Sequence, residues 1–420
     1  MTVATSRPLA TRGLVARGEG RALFAAAAAY FCLLCGYYML RSLREAMALE
    51  AGRTWIPTLF TAVLIVQLAI LPIYWWIVGR TPRRRLLLQV YVPVVALFGA
   101  LALGIAGAGL TRWLAAAYFV AVMSVNLFVV SVFWSVMADR WSPQASERLF
   151  GFIAGGGSLG ALAGPLLNAT LAGRVGTPTI IGMACVLLLA AVACGYLAQT
   201  LRRDPASGAP TPAMGDAVGG RALDDMRRLV RSPYLLAIAG FIVAGQVLGA
   251  FMYNEQARYV ETAYEGLADR IALFARVDFA VNALAFAFQT LVVGWLTTRA
   301  SIRASLSAMP LLAGLSFIAL AVSPSLAMLM LTQVVRRGAD YGLAKPTREM
   351  LYTVLNPESK FKSKSLLDTV LQRGADTLGN WLYVLLAGLG LAGLSALSAG
   401  ICVVLIAATW WLGASFEKRL

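Results

Sequence analysis

Between Gln333 and Asn380 the chain carries Arg336, Arg337, Asp340, Lys345, Arg348, Glu349, Lys360, Lys362, Lys364, Asp368, Arg373 and Asp376, and apolar runs flank the stretch on both sides. Only 13% of the residues are charged overall, so this density in an apolar setting needs a physical reason. An ionised side chain near the centre of a bilayer costs roughly 2.5–3.5 kcal/mol on insertion scales. Such groups persist where they line a water-filled path or hold an ion. Guanidinium offers a planar donor fork and a permanent charge, a match for phosphate or carboxylate. The stretch therefore reads as half of a binding site for an anionic solute. Arg336, Arg337 and Arg373 are its deepest cations.

A second set of polar groups closes the first apolar run. Tyr37, Tyr38, Arg41, Arg44 and Glu45 stand at helical spacing that can face one cavity; a snorkelling helix end is the competing reading. Asn126 lies midway along the fourth run, and with Tyr37 and Tyr38 it is expected to orient a bound solute. Gln67 and Gln246, also mid-run, read as helix–helix hydrogen bonds. Glu45, Glu255, Arg276, Asp278, Asp340 and Asp376 form the candidate gating or coupling set. Arg276 with Asp278, or Glu255 with Arg276, is a candidate gating ion pair, and a structural pair is an equal alternative.

Other chemistry is poorly supported. The chain has no histidine, and its five cysteines all fall in apolar runs. Cys32 and Cys35 form a CxxC with no second Cys or His pair to complete a zinc site, so neither metal nor cofactor is expected. No P-loop occurs, and no enzymatic centre is expected. Gly155–Gly160 matches GxGxxG but follows no strand. Gly156, Gly160 and Gly164 have the spacing of close helix packing instead.

The elements that must position these groups are membrane spans. The chain has 420 residues, 59% of them hydrophobic, and its mean hydropathy is +0.73. Apolar runs of about 20 residues, enough to cross roughly 30 Å of hydrocarbon, recur along its length. Twelve spans are expected: from about Ala22 to the polar tail ending at Glu45, then about 56–79, to 109, 113–137, 149–171, 177–201, 233–258, 271–298, 304–322, 326–345, 365–391 and 394–414. Residues 1–21 read as an Arg-rich tail and 202–232 as a Pro/Gly-rich linker between halves 22–201 and 233–420. The formal charge of +16 sits largely in the short connections on one side. That pattern puts both termini in the cytoplasm and argues against nucleic acid as a partner.

The halves look duplicated. Trp76, Arg80 and Arg84 match Trp295, Arg299 and Arg303 at an offset of 219, and the same offset carries Gly155, Leu159 and Gly160 onto Gly374, Leu378 and Gly379. Parallel repeats of six spans, with a site between halves near mid-depth, characterise the major facilitator architecture. The expected fold is thus an all-α polytopic membrane protein, major-facilitator-like, with about 12 transmembrane helices in two six-helix bundles.

Three stretches resemble the ATP/ADP translocase (nucleotide transporter) family of plastids and intracellular bacteria: Tyr37–Glu45, Phe133–Asp139 with Glu147–Gly151, and Arg348–Asp368. The last is the most specific, since its basic–Glu start, spaced lysines and closing Asp keep the family's order. Arg44–Glu45 stands where that family carries Lys–Asp, and Arg373 where it carries lysine. The resemblance implies an antiporter exchanging nucleotides, with basic residues gripping phosphates.

The expectation is a monomeric secondary transporter of the bacterial inner membrane, working by alternating access on a small anionic, nucleotide-like or phosphorylated solute. Arg41, Arg44, Arg336, Arg337 and Arg373 would neutralise the charge. Two alternatives stay open: a proton-coupled facilitator or exporter using one of the carboxylates, and a non-transporting receptor or scaffold with mutually paired charges.

Overall fold

The computed structural model describes residues 19–141, 143–201, 232–293, 295, 301–354 and 366–418. The tail up to residue 18, the linker 202–231 and the lysines Lys360, Lys362 and Lys364 lie outside the described residues.

The apolar runs form helices α1 (Gly20–Ala51), α2 (Ile56–Arg80), α3 (Arg83–Ala108), α4 (Arg112–Ala138), α5 (Pro143–Leu171), α6 (Thr177–Thr200), α7 (Pro233–Ala263), α8 (Leu267–Ala287), α9 (Ile302–Val322), α10 (Leu326–Ala339), α11 (Gln372–Leu386) and α12 (Gly390–Glu417). In lipid the backbone must satisfy its own hydrogen bonds, and a helix does so within one segment. Three helices are extended by wider π turns, Phe288–Val293 after α8, Asp340–Ala344 after α10 and Leu366–Leu371 before α11. The turn after α10 runs straight into a short helix, Lys345–Leu351. Serine or threonine side chains at Thr111, Ser232, Ser301 and Ser325 accept a backbone N–H in the first turns of α4, α7, α9 and α10, which satisfies an otherwise orphaned donor.

Two aromatic belts mark the thickness of the apolar slab. Trp55 and Trp113 meet edge to face at one end, with the Arg112 guanidinium over Trp55. Trp76 and Trp410, each with an arginine over its ring, lie at the other. Along α2, Trp55 to Trp76 is about 32 Å of helix at 1.5 Å per residue, close to the hydrocarbon thickness of a bilayer. Between the belts the outer faces are apolar: Val322 is 82% exposed and Leu385 79%.

The repeat seen at an offset of 219 is also a repeat of packing. α1 packs on α4, α5 and α6, α3 on α4 and α6, and α2 on α4; α7, α9 and α8 repeat each pairing with α10, α11 and α12. The halves meet where α5 packs on α8 and α2 on α11, a pair of seams that the same offset exchanges. Its glycines explain the closeness. A Cβ on Gly160 would lie 2.3 Å from the Phe31 carbonyl oxygen of α1, and one on Gly379 would lie 2.8 Å from the Ala250 Cβ of α7. Gly155 and Gly374, also matched by the offset, have open space at the Cβ position.

One expected boundary fails in an informative way. α1 does not end near Glu45 but runs on to Ala51, where Gly52 (φ 107°) stops it. Arg41, Arg44 and Glu45 therefore sit inside a helix enclosed by α4, α5, α6 and α8, and all three are buried. Burial inside the helix, and not at its end, argues against the snorkelling reading.

Candidate functional site

Midway along the helices, between the halves, lies a cavity of about 210 Å³. Its walls come from α1, α2, α4, α7, α10 and α11, and helical periodicity decides which residues reach it. On α1 those are Tyr37, Arg41, Arg44 and Glu45, on α4 Met123 and Asn126, and on α7 Gln246, Gly249, Tyr253 and Gln256. On α10 and the π turn and short helix that continue it, the stripe is Gln333, Arg336, Arg337, Asp340, Tyr341 and Lys345. The π turn at Asp340–Ala344 inserts one residue into this stripe, so Lys345 faces the cavity below Tyr341. Wider turns of this kind recur at functional sites. α11 adds Gln372, Arg373, Asp376 and Asn380.

The charges fall into four groups. Arg44 donates to its neighbour Glu45 and, at 2.7 Å, to the Met123 Sδ. Arg373 pairs with Asp376 at 3.2 Å, and Asp376 also accepts from Gln246 at 2.8 Å. Asp278, on α8 behind the wall, serves two arginines: Arg337 donates to it at 2.6 Å and the Arg41 Nε stands 3.8 Å away. Arg41 further donates to the Tyr341 hydroxyl at 3.0 Å and packs over Tyr38 and Tyr341. The fourth group is unbalanced. Arg336 is only 8% exposed, yet among the described residues it has no carboxylate partner. It donates to the Gln333 Oε1 at 3.2 Å, Gln333 in turn donates to Gln256, and its Nε has no partner. Gly249 makes room for it, since a Cβ there would lie 3.4 Å from the Arg336 Nη1. Lys345 lies 4.2 Å from the Tyr341 ring centroid, and Asp340 lines the cavity without a hydrogen bond or ion pair among the described residues.

Tyr37, Arg41, Arg44, Glu45, Asn126, Arg336, Arg337, Asp340, Arg373 and Asp376 are thus brought to one cavity. Tyr38 and Asp278 stand one layer behind, each against Arg41. Two expected members are elsewhere. Glu255 faces the other side of α7, where it accepts from Arg258 at 2.6 Å and from the Tyr383 hydroxyl at 2.8 Å. Arg276 is exposed on the Phe279 face of α8. Asp278 lies about 200° around the helix at 100° per residue. Neither suggested pair with Arg276 forms. Gln67 donates to the Met123 carbonyl, a helix–helix bond as expected, whereas Gln246 both bonds across helices and lines the cavity. Tyr341, Gln256 and Gln333 join the site beyond the expected set, and the α7 and α10 stripes mark the glutamines; Lys345, expected only as one charge of the Gln333–Asn380 stretch, reaches the cavity through the π turn.

At the Trp55 end of the bundle the halves are tied by two ion pairs, Arg53 with Glu261 at 2.8 Å and Arg270 with Glu50 at 2.9 Å. The first and last residues of the Arg348–Asp368 stretch also pair, at 3.2 Å.

The family model described as Major Facilitator Superfamily matches residues 26–353. No curated protein matches. Among solved structures, a peptide transporter POT mutant aligns with a TM-score of 0.64 at 17% identity, covering 97% of both chains. A POT family transporter in complex with 5-aminolevulinic acid aligns with a TM-score of 0.62 at 14% identity, covering 94% of this chain and 96% of that one. A bacterial homologue of the human lysosomal transporter Spinster, in an inward-facing and unoccupied conformation, aligns with a TM-score of 0.56 at 14% identity, covering 96% of this chain and 98% of that one. At such identities the likeness is one of fold.

Proposed function

Because the chain belongs to the Major Facilitator Superfamily, and is by that membership an integral membrane protein and a secondary transporter, we propose that it carries a small anionic solute, phosphorylated or nucleotide-like, by exchange. The observation that carries this reading is Arg336, a buried guanidinium facing the cavity that makes no ion pair with a carboxylate among the described residues. An uncompensated cation held away from water is costly, and a bound anion removes that cost. The same physics favours exchange. The empty carrier must move its excess charge through the closed form, whereas the loaded one moves a neutralised site. The resemblance of Tyr37–Glu45 and Arg348–Asp368 to nucleotide exchangers supports a phosphorylated cargo.

Halves 22–201 and 233–420 are the rocking units of this scheme, with the ion pairs Arg53–Glu261 and Arg270–Glu50 holding one end shut. With both termini cytoplasmic, that end faces away from the cytoplasm of a bacterial inner membrane. A monomer contains the whole site. Exchange in proteoliposomes tests the proposal: the labelled phosphate ester should accumulate against an unlabelled internal pool, and Arg336→Ala and Arg373→Ala should each depress it. No exchange of any phosphate ester, or variants indistinguishable from wild type on the true cargo, contradicts it.

A second reading rests on Asp340, a cavity carboxylate without a partner among the described residues, which suits a proton-coupled carrier. Uptake driven by a pH gradient and abolished by Asp340→Asn alone would favour that reading over exchange. A scaffold with mutually paired charges fits less well, since neither Arg336 nor Lys345 has a carboxylate partner among the described residues.

A further inference from the structure

The charge inventory of the cavity specifies more than the sign of the cargo. Among the described residues six cations line it, Arg41, Arg44, Arg336, Arg337, Lys345 and Arg373, against three lining carboxylates, Glu45, Asp340 and Asp376. Asp278 behind the wall, in contact with Arg41 and Arg337, makes a fourth. Two of the six are neutralised locally, Arg44 by Glu45 and Arg373 by Asp376. The excess of two positive charges then has a definite place. Asp278 is shared by Arg41 and Arg337, which leaves one charge over. Arg336 and Lys345 have only the unattached Asp340 between them in sequence, which leaves the other.

Both surpluses lie beside Tyr341. Its hydroxyl accepts from Arg41, and its ring centroid lies 5.6 Å from the Arg41 guanidinium carbon and 4.2 Å from the Lys345 Nζ. A compact group with donors converging on it from α1 and α10 is shaped for a phosphoryl oxygen cluster.

We infer that the cargo is a dianion presenting a single phosphate monoester, and that a chain of two or three phosphates is discriminated against. This rests on the anion-carrier reading above and sharpens it. A monoester carries about −1.5 to −2 charge at neutral pH, which closes the surplus. Each further phosphate brings roughly one more charge into a site that, among the described residues, has no cation left to meet it, beside Asp340, Asp376 and Glu45, which then repel it.

The test holds the nucleoside constant and varies charge. Binding of AMP, cyclic AMP, ADP and ATP, with ribose 5-phosphate as a second monoester, is measured on the purified full chain by calorimetry. AMP or ribose 5-phosphate should bind at least tenfold more tightly than ATP and than cyclic AMP. Lys345→Gln, which removes one surplus charge, should narrow the AMP to cyclic AMP ratio at least tenfold. Asp278→Asn, which adds one, should move the optimum toward ADP. Arg276→Gln, outside the cavity, should keep the wild-type order. ATP binding as tightly as AMP overturns the charge rule but leaves an anion carrier standing, as does cyclic AMP matching AMP. If none of the five compounds binds, the anion-carrier reading itself fails.

Discussion

Asp278→Asn changes charge with almost no change of shape, and the structure sets the size of its effect. The carboxylate is 1% exposed and lies 2.6 Å from the Arg337 guanidinium and 3.8 Å from that of Arg41, whose side chains are only 12% and 10% exposed. Removing one partner of a buried pair costs about 3–5 kcal/mol, because the other charge is left uncompensated. Here two guanidiniums lose their counter-ion, so the upper part of that range is expected for the empty protein. Unfolding should be followed for wild type, Asp278→Asn, Arg337→Gln and the double variant. Contacting charged residues couple by about 0.5–3 kcal/mol, and the double should be less damaged than the two single losses together. A ligand at a hundredfold over its dissociation constant adds about 2.7 kcal/mol, and at one fixed concentration of ADP the variant, with one more uncompensated cation to bind it, should gain more stability than wild type, so its deficit should shrink. An Asp278→Asn protein within about 1 kcal/mol of wild type, or strictly additive variants, would refute the reasoning.

Other outcomes follow from the same structure. Gly160→Ala puts a Cβ 2.3 Å from the Phe31 carbonyl oxygen, while Gly155→Ala meets open space. The first should lose about 2 kcal/mol or more of stability by forcing α5 off α1, and the second should be neutral or gain slightly from helix propensity, as read by thermal unfolding. Arg336→Gln removes an unpaired buried cation, so it should weaken anion binding at least tenfold in calorimetry, about 1.4 kcal/mol, without lowering thermal stability. Arg53→Cys with Glu261→Cys, in a chain whose five native cysteines are replaced by serine, should cross-link the halves at the closed end. Exchange should then stop under oxidation and return on reduction.

The spans are legible because each must satisfy its backbone and face lipid over about 20 residues, and this shows in any hydropathy window. The duplication is legible for a related reason: Gly160 and Gly379 answer the same steric demand in two copies of one packing. What escapes is set by tertiary enclosure. Hydropathy treats Arg41 and Arg44 as the end of a span, since it cannot know that α4, α5, α6 and α8 surround them. Lys345 is named as a charge of the stretch, but its facing depends on the extra residue of the π turn. The partners of Asp278 come from α1 and α10, far away in sequence. By contrast Glu255 and Arg258, three residues apart on one helix, formed a local pair that spacing alone could have suggested in place of Arg276.

The most direct measurement is counterflow in proteoliposomes loaded with an unlabelled phosphate monoester, comparing wild type with Arg336→Gln. The account predicts transient accumulation of external labelled AMP or ribose 5-phosphate by wild type, and its loss in the variant although the protein remains folded. Equal accumulation by both, or none by wild type with any phosphate ester, would contradict the claim that a buried guanidinium without an ion-pair partner among the described residues is what holds the cargo.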